Sequence, residues 1–127
     1  MSSHYVDANG LRIHYLEEGK GEPVLLLHGF PASSHLYRNI LPILAKTHRA
    51  IAPDLPGYGL SDKPLDQRYN FSFFDKTLEA FCEAVGIQDT TLVVHDLGGP
   101  VGLHWAVRNP SRIRRLVILN TLTYPQT

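Results

Sequence analysis

Residues 11–17, LRIHYLE, alternate apolar and polar positions, which is the period of a half-buried strand. The glycines of EEGKGEP just after it are placed for a tight turn, so an antiparallel hairpin is expected there. Residues 24–27, VLLL, are continuously apolar and break at HGFP, as a central strand buried on both faces does. Residues 33–44 carry Leu36, Ile40 and Leu44 at helical spacing, and Pro42 must kink or end that helix. Residues 50–52 give a short strand, and PDLPGYGLSDKP after it is a loop by its density of Pro, Gly and Asp. Ser72 is placed to cap the clearest helix, with Asp75 three positions on; Phe74, Leu78, Phe81, Cys82 and Val85 line one face until Gly86 stops it. Residues 92–94 read as strand, 99–107 as helix ended by Asn109-Pro110, and 116–119 as a last, wholly apolar strand.

Strand and helix therefore alternate after an opening hairpin, which predicts an α/β fold: a mostly parallel sheet with helices on both faces. The last strand, LVIL, is as apolar as an interior strand, and such a strand left at a sheet edge is an aggregation hazard. Further strands are expected beyond Thr127, which makes residues 1–127 the N-terminal part of a larger domain.

Composition narrows the function classes. The 127 residues carry 12 basic and 12 acidic side chains with no block of like charge, so neither nucleic acid nor an anionic membrane surface is an expected partner. A single cysteine, Cys82, leaves no intrachain disulfide and no Cys/His zinc pattern. The N-terminal MSSHYVDANG lacks a basic segment followed by an apolar one, and no apolar run approaches the ~18 residues that span a bilayer, so a cytoplasmic protein is expected. GKG at residues 19–21 lacks phosphate-loop spacing; no nucleotide, metal or other cofactor is implied.

The candidate chemistry sits at VVHDLGG, residues 93–99. An Asp between a strand and a helix is at the least a cap, accepting backbone N–H groups and favoured by the positive helix end. The sharper alternative is a nucleophile elbow, a strained turn that exposes a reactive side chain and needs a small residue two places on, here Gly98. The same helix end would keep Asp96 ionised, and a carboxylate attacks saturated carbon without a general base. Upstream, His28-Gly29-Phe30-Pro31 lies where this architecture takes one oxyanion-hole donor, the other coming from the residue after the nucleophile. The backbone N–H groups of Phe30 and Leu97 are the candidates, with His28, Gly29 and Gly98 supporting the site. His95 should point away from Asp96, since successive strand side chains face opposite sides. His4, His14, His35, His48 and His104 have no motif.

LLLHGFPASSHLYRNI, IAPDLPGYGLSDKP, VVHDLGGPVGLHWAVRNP and RRLVILNT together resemble the α/β-hydrolase superfamily, in its haloalkane dehalogenase and epoxide hydrolase branch with an aspartate nucleophile. The likeness runs from Tyr5 to Tyr124. It implies that residues 1–127 are the N-terminal part of an α/β-hydrolase core, with the cap and the C-terminal part outside them. It also implies that Asp96 is the nucleophile and that the Phe30 and Leu97 amides form the oxyanion hole, while Asp54, Gly57, Gly59 and Ser61 match a structural loop. The implied substrate is a small apolar halide or epoxide. Dehalogenases of this group usually carry a halide-binding tryptophan where Leu97 stands, and many an asparagine where Phe30 stands; these departures favour epoxide chemistry, whereas overall likeness favours dehalogenation. Some place the catalytic acid where Asn120 stands, so an acid after a later strand is expected, with the histidine downstream as well. The C-terminal half is then a required partner, in cis or as a second chain, and the alternative is a non-catalytic fragment that only completes such a half.

Overall fold

The computed structural model describes residues 2–29, 33–66, 68–96 and 98–119. Among these residues six strands form one sheet, β1 Ser2–Ala8, β2 Leu11–Glu18, β3 Glu22–Leu27, β4 His48–Pro53, β5 Thr90–His95 and β6 Ile113–Leu119, in the order β1-β2-β4-β3-β5-β6. The pairs β4/β3, β3/β5 and β5/β6 are parallel, and β1/β2 and β2/β4 antiparallel.

The opening hairpin differs from the sequence expectation. It forms between β1 and β2 around Asn9 and Gly10, both at positive φ (55° and 75°), so that Ala8 pairs with Leu11. Asn-Gly is the strongest two-residue hairpin signal because both positions of the turn require φ > 0. EEGKGEP makes no hairpin, since β4 lies between β2 and β3. Gly19 turns the chain at φ 89°, where a Cβ would lie 2.2 Å from the His48 carbonyl oxygen.

Helices cover both faces. On one side α2 Phe71–Val85 and α3 Gly98–Arg108 bury Phe74, Leu78, Phe81, Val101 and Trp105 against Leu25, Leu27, Leu92 and Val94. On the other, a 3-10 turn at Ser34–Tyr37 and the short α1 Leu41–Leu44 cover Val24, Leu26, Ala50, Ala52 and Val93 with Tyr37 and Leu41. The single helix expected over residues 33–44 is thus broken in two, because Pro42 is accommodated only in the first turn of a new helix. The cap of α2 is also corrected: Asn70, rather than Ser72, accepts the Phe73 N–H at 2.9 Å, and Gly86 closes the helix in the left-handed region at φ 77°.

Among the described residues, β6 is the edge strand of the sheet. Leu116, Val117, Ile118 and Leu119 remain 38–46% exposed on both of its faces. No described helix is long and apolar enough to cross a membrane.

Candidate active site

In this architecture ligands bind at the carboxyl ends of the parallel strands. There β3 delivers His28 and Gly29, β4 delivers Asp54, and β5 delivers Asp96. Phe30 and Leu97, the expected oxyanion donors, lie outside the described residues, as do Asn120 and Tyr124.

Asp96 is half-buried at φ +51°, a left-handed backbone that is costly for any residue with a Cβ. Its carbonyl accepts the Gly99 N–H at 2.9 Å, closing the turn into α3. Two neighbours are cut away around it. A Cβ on Gly29 would stand 2.3 Å from the Asp96 Cβ and 2.8 Å from its Oδ2, and a Cβ on Gly98 would stand 2.6 Å from the carbonyl oxygens of Leu27 and His28. The absence of side chains at these two positions lets the carboxylate sit over the end of β3 while α3 packs directly on the sheet. Farther along α3, a Cβ at Gly102 would meet Val94 Cγ1 at 2.6 Å, so the glycine accommodates the bulk of that strand residue.

His28 is fully buried between two backbone groups. Its Nε2 accepts the Leu55 N–H at 2.9 Å and its Nδ1 lies 2.8 Å from the Gly29 carbonyl oxygen. An amide N–H only donates and a carbonyl oxygen only accepts, which fixes the neutral, Nδ1-protonated tautomer. Burial pushes its pKa below the ordinary imidazole value and nearby His95 pushes the same way, while the Gly29 bond and the Asp54 charge oppose them. Tyr58 packs edge-on against this ring, centroids 5.4 Å apart. Burial and the Asp96 charge together raise the phenol's pKa. Tyr58 is a site neighbour with no motif of its own in the sequence; its flanking glycines, Gly57 and Gly59, both at positive φ, are the local signal for it.

Asp54 is a second carboxylate of a different kind. Its Oδ1 accepts the Ser34 N–H at 2.6 Å, and its Oδ2 accepts from His14 Nδ1 at 2.8 Å and the Leu60 N–H at 2.9 Å. Burial alone would raise its pKa, but the donors from Leu60, Ser34 and His14 more than offset this and hold it below the usual carboxylate range. His14, which has no motif in the sequence, passes the connection on to Ser3, whose Oγ lies 2.5 Å from Nε2. Ser61 ties the same loop down, donating to the Asp54 carbonyl at 2.7 Å and accepting the His14 N–H at 2.9 Å.

Of the other histidines, His95 has its Nδ1 enclosed without a hydrogen-bond partner among the described residues. His104 stacks on Phe71 at 4.7 Å and lies 2.8 Å from Asp75 Oδ2, binding α3 to α2. Trp105 is core, its indole N–H donating to Glu79 at 3.2 Å. Cys82 is fully buried with its thiol pushed up to about 12 by burial, which makes it inert at neutral pH. No group of three or more His, Cys, Asp or Glu among the described residues is placed to hold a metal. A groove at the opposite, amino end of the strands includes Pro23, Glu79, Ile87 and Arg112, but Arg112 is already occupied by Glu79 and the Ile87 and Gln88 carbonyls.

A strained carboxylate turn at the end of a parallel strand, with glycines cleared around it, coincides with a match of residues 22–127 to the model of the alpha/beta hydrolase fold family. The chain belongs to that family. As an α/β hydrolase it is 47% identical over 121 residues to the cis-3-alkyl-4-alkyloxetan-2-one decarboxylase of Shewanella oneidensis, covering 93% of this chain and 38% of that protein. The haloalkane dehalogenase DatA of Agrobacterium tumefaciens superposes with a TM-score of 0.87 at 40% identity, over 94% of this chain and 41% of that one. The epoxide hydrolase VrEH1 of Vigna radiata gives 0.93 at 32% identity, over 99% and 42%. The α/β-hydrolase chain thus spans about two fifths of the relatives it matches. The mostly parallel sheet expected from strand–helix alternation is the sheet these dehalogenase and epoxide hydrolase structures share.

Proposed function

We propose that this chain is the nucleophile-bearing half of a hydrolase in which Asp96 displaces a leaving group from saturated carbon. A carboxylate oxygen of Asp96 forms the new C–O bond as the carbon–leaving-group bond breaks, its electron pair departing with a halide or an epoxide oxygen. Water, activated by a histidine in the C-terminal half, then adds to the ester carbonyl; collapse of the tetrahedral intermediate releases the alcohol and restores the carboxylate. The amides of Phe30 and Leu97 stabilise the oxyanion of that second step. The single observation that carries this reading is the strained backbone of Asp96 at the start of α3, because a mere cap has no need of a left-handed Asp.

The C-terminal half joins in cis or as a second chain. The apolar β6, exposed on both faces, supports this, since it offers both a free edge and uncovered apolar surface. The substrate is a small apolar electrophile, and the setting is the cytoplasm, in keeping with a lone buried, unreactive cysteine. Leu97 and Phe30 supply no side-chain donor for a halide, which favours a ring-opening substrate over an alkyl halide.

A second reading is favoured by the 47% identity to the oxetanone decarboxylase. Attack by Asp96 on the saturated ring carbon of a four-membered lactone would open its C–O bond to give an ester and a free carboxylate. Loss of CO2 with departure of the Asp96 carboxylate would then form an alkene, without water. Both readings are tested on the complete protein by intact-mass analysis after exposure to an alkyl bromide, an epoxide and a cis-oxetan-2-one. The expected result is an adduct on Asp96 with at least one of them. Bromide, diol or alkene plus CO2 as product identifies the substrate class, and product formation with no Asp96 adduct under single-turnover conditions overturns the mechanism.

A further inference from the structure

We propose that Ser3 is a second nucleophile, an acyl-accepting serine activated by His14 and Asp54. This cluster does not depend on Asp96, which follows β5; β4 and β3 lie between β2 and that strand. Ser3 and Tyr5 share one face of β1, and Tyr5 stands opposite His14 of β2, so Ser3 meets His14 on the diagonal. Its Oγ lies 2.5 Å from His14 Nε2, and His14 Nδ1 lies 2.8 Å from Asp54 Oδ2. Hydroxyl, imidazole and carboxylate are thus joined in the order that general-base activation of a serine requires. Accessibility follows the same order: Ser3 is exposed, whereas His14 and Asp54 are 4% and 2% exposed.

The direction of the proton follows from the partners. Asp54, held below the usual carboxylate range by its donors, is ionised at neutral pH and only accepts. It therefore keeps a proton on Nδ1, and Nε2 of the neutral ring is left to accept the Ser3 O–H. The ring is also held in place. The His14 N–H donates to Ser61 Oγ at 2.9 Å, and the His14 carbonyl accepts the Asp54 N–H at 2.8 Å. Tyr5 packs against the imidazole with centroids 5.1 Å apart, and the Arg12 guanidinium sits 3.9 Å over the Tyr5 ring. Toward an activated ester, Ser3 Oγ bonds to the acyl carbon as its proton passes to Nε2. The tetrahedral intermediate then collapses, and the leaving alcohol or phenol departs with the C–O electron pair and the proton from Nε2, which leaves an acyl ester on Ser3. Asp54 is a positioning residue that fixes the tautomer and stabilises the transient imidazolium.

The neighbouring Ser2 supplies an internal standard, because it is also exposed but faces the other side of β1, away from His14. The complete protein carrying Asp96→Asn is treated with p-nitrophenyl acetate, and acetyl groups are mapped by peptide mass over time. Release by neutral hydroxylamine separates acetyl esters from acetylated amines. Ser3 is expected to be acetylated faster than Ser2 by ~10²-fold or more, the lower end of general-base assistance. In His14→Gln the ratio of the two rates should fall to near one. In Asp54→Asn the amide donates to Nδ1 and turns the ring proton toward Ser3, so the ratio should fall in folded protein although both serines remain, which a loss of stability alone would not produce. A ratio near one before any change at His14, or a ratio that His14→Gln or Asp54→Asn leaves unaltered, overturns the assignment. The first of these comparisons needs no substitution in the cluster, so it decides the matter even where a variant fails to fold.

Discussion

Asp54 and Asp96 both follow an apolar parallel strand, and both face a glycine that cannot carry a side chain: a Cβ on Gly59 would lie 2.3 Å from Asp54 Oδ2, as one on Gly29 would crowd Asp96. The resemblance ends there. Asp54 is 2% exposed, and its two oxygens take donors from Ser34, His14 and Leu60, which hold the loop after β4 against β2 and the segment after β3. Asp96 is half-buried, on a left-handed backbone at the start of a helix. A carboxylate enclosed by fixed donors acts as a structural pin, whereas a strained turn at the carboxyl end of a parallel strand suits the nucleophile role proposed for Asp96.

Removing each charge should give opposite signatures. Asp96→Asn is expected to lower turnover of the complete protein by 10⁴-fold or more, on the order seen when a nucleophile is removed, with Tm nearly unchanged. Steady-state kinetics with thermal melts check this, and residual activity above one hundredth of wild type would contradict it. Asp54→Asn should do the reverse. Losing the charge-assisted bonds leaves buried donors poorly paired, at a cost of roughly 1–3 kcal/mol, so denaturant midpoints fall while activity per folded molecule is largely kept. The glycines sharpen the contrast at a smaller scale. Gly29→Ala is expected to damage turnover more than stability, because the added methyl displaces the Asp96 side chain. Gly59→Ala acts through stability, adding about 1–2 kcal/mol of left-handed backbone strain at φ 54° to the collision with Asp54.

The smallest effect is in pH. His28 titrates below its ordinary value when folded, so as pH falls below about 6.5 the unfolded chain takes up a proton first and stability declines toward the folded pKa of His28. Asp54 likewise stabilises the fold at neutral pH, and its contribution is lost as pH falls below about 4 through its lowered folded pKa. Urea midpoints between pH 8 and 3 should therefore drop in two stages, the first absent in His28→Asn and the second absent in Asp54→Asn.

Much of this was legible in the chain because the signals are local. The apolar runs of β3 and β5, the amphipathic face of α2 and its Gly86 stop, and the turn HDLGG each depend on neighbouring residues alone. The pin at Asp54 was not legible, because its partner His14 is 40 positions away and stands in an ordinary alternating strand. The contact of Tyr58 with His28 was hidden for the same reason. The first hairpin departs from the sequence expectation because Asn9-Gly10, with its stronger left-handed preference, turns the chain before β2, whereas the glycines after β2 lead to β3 across β4.

The sequence by itself determined where strands and helices alternate and which residues stand at the carboxyl ends of the strands, since period and turn chemistry act over a few residues. Only the tertiary structure decided that β4 inserts between β2 and β3, that Asp54 is enclosed by donors from Ser34, His14 and Leu60, and that glycine at 29 makes room for the Asp96 side chain. Those outcomes depend on which distant backbone groups arrive beside one another when the sheet closes on its core, and a one-dimensional pattern does not specify that.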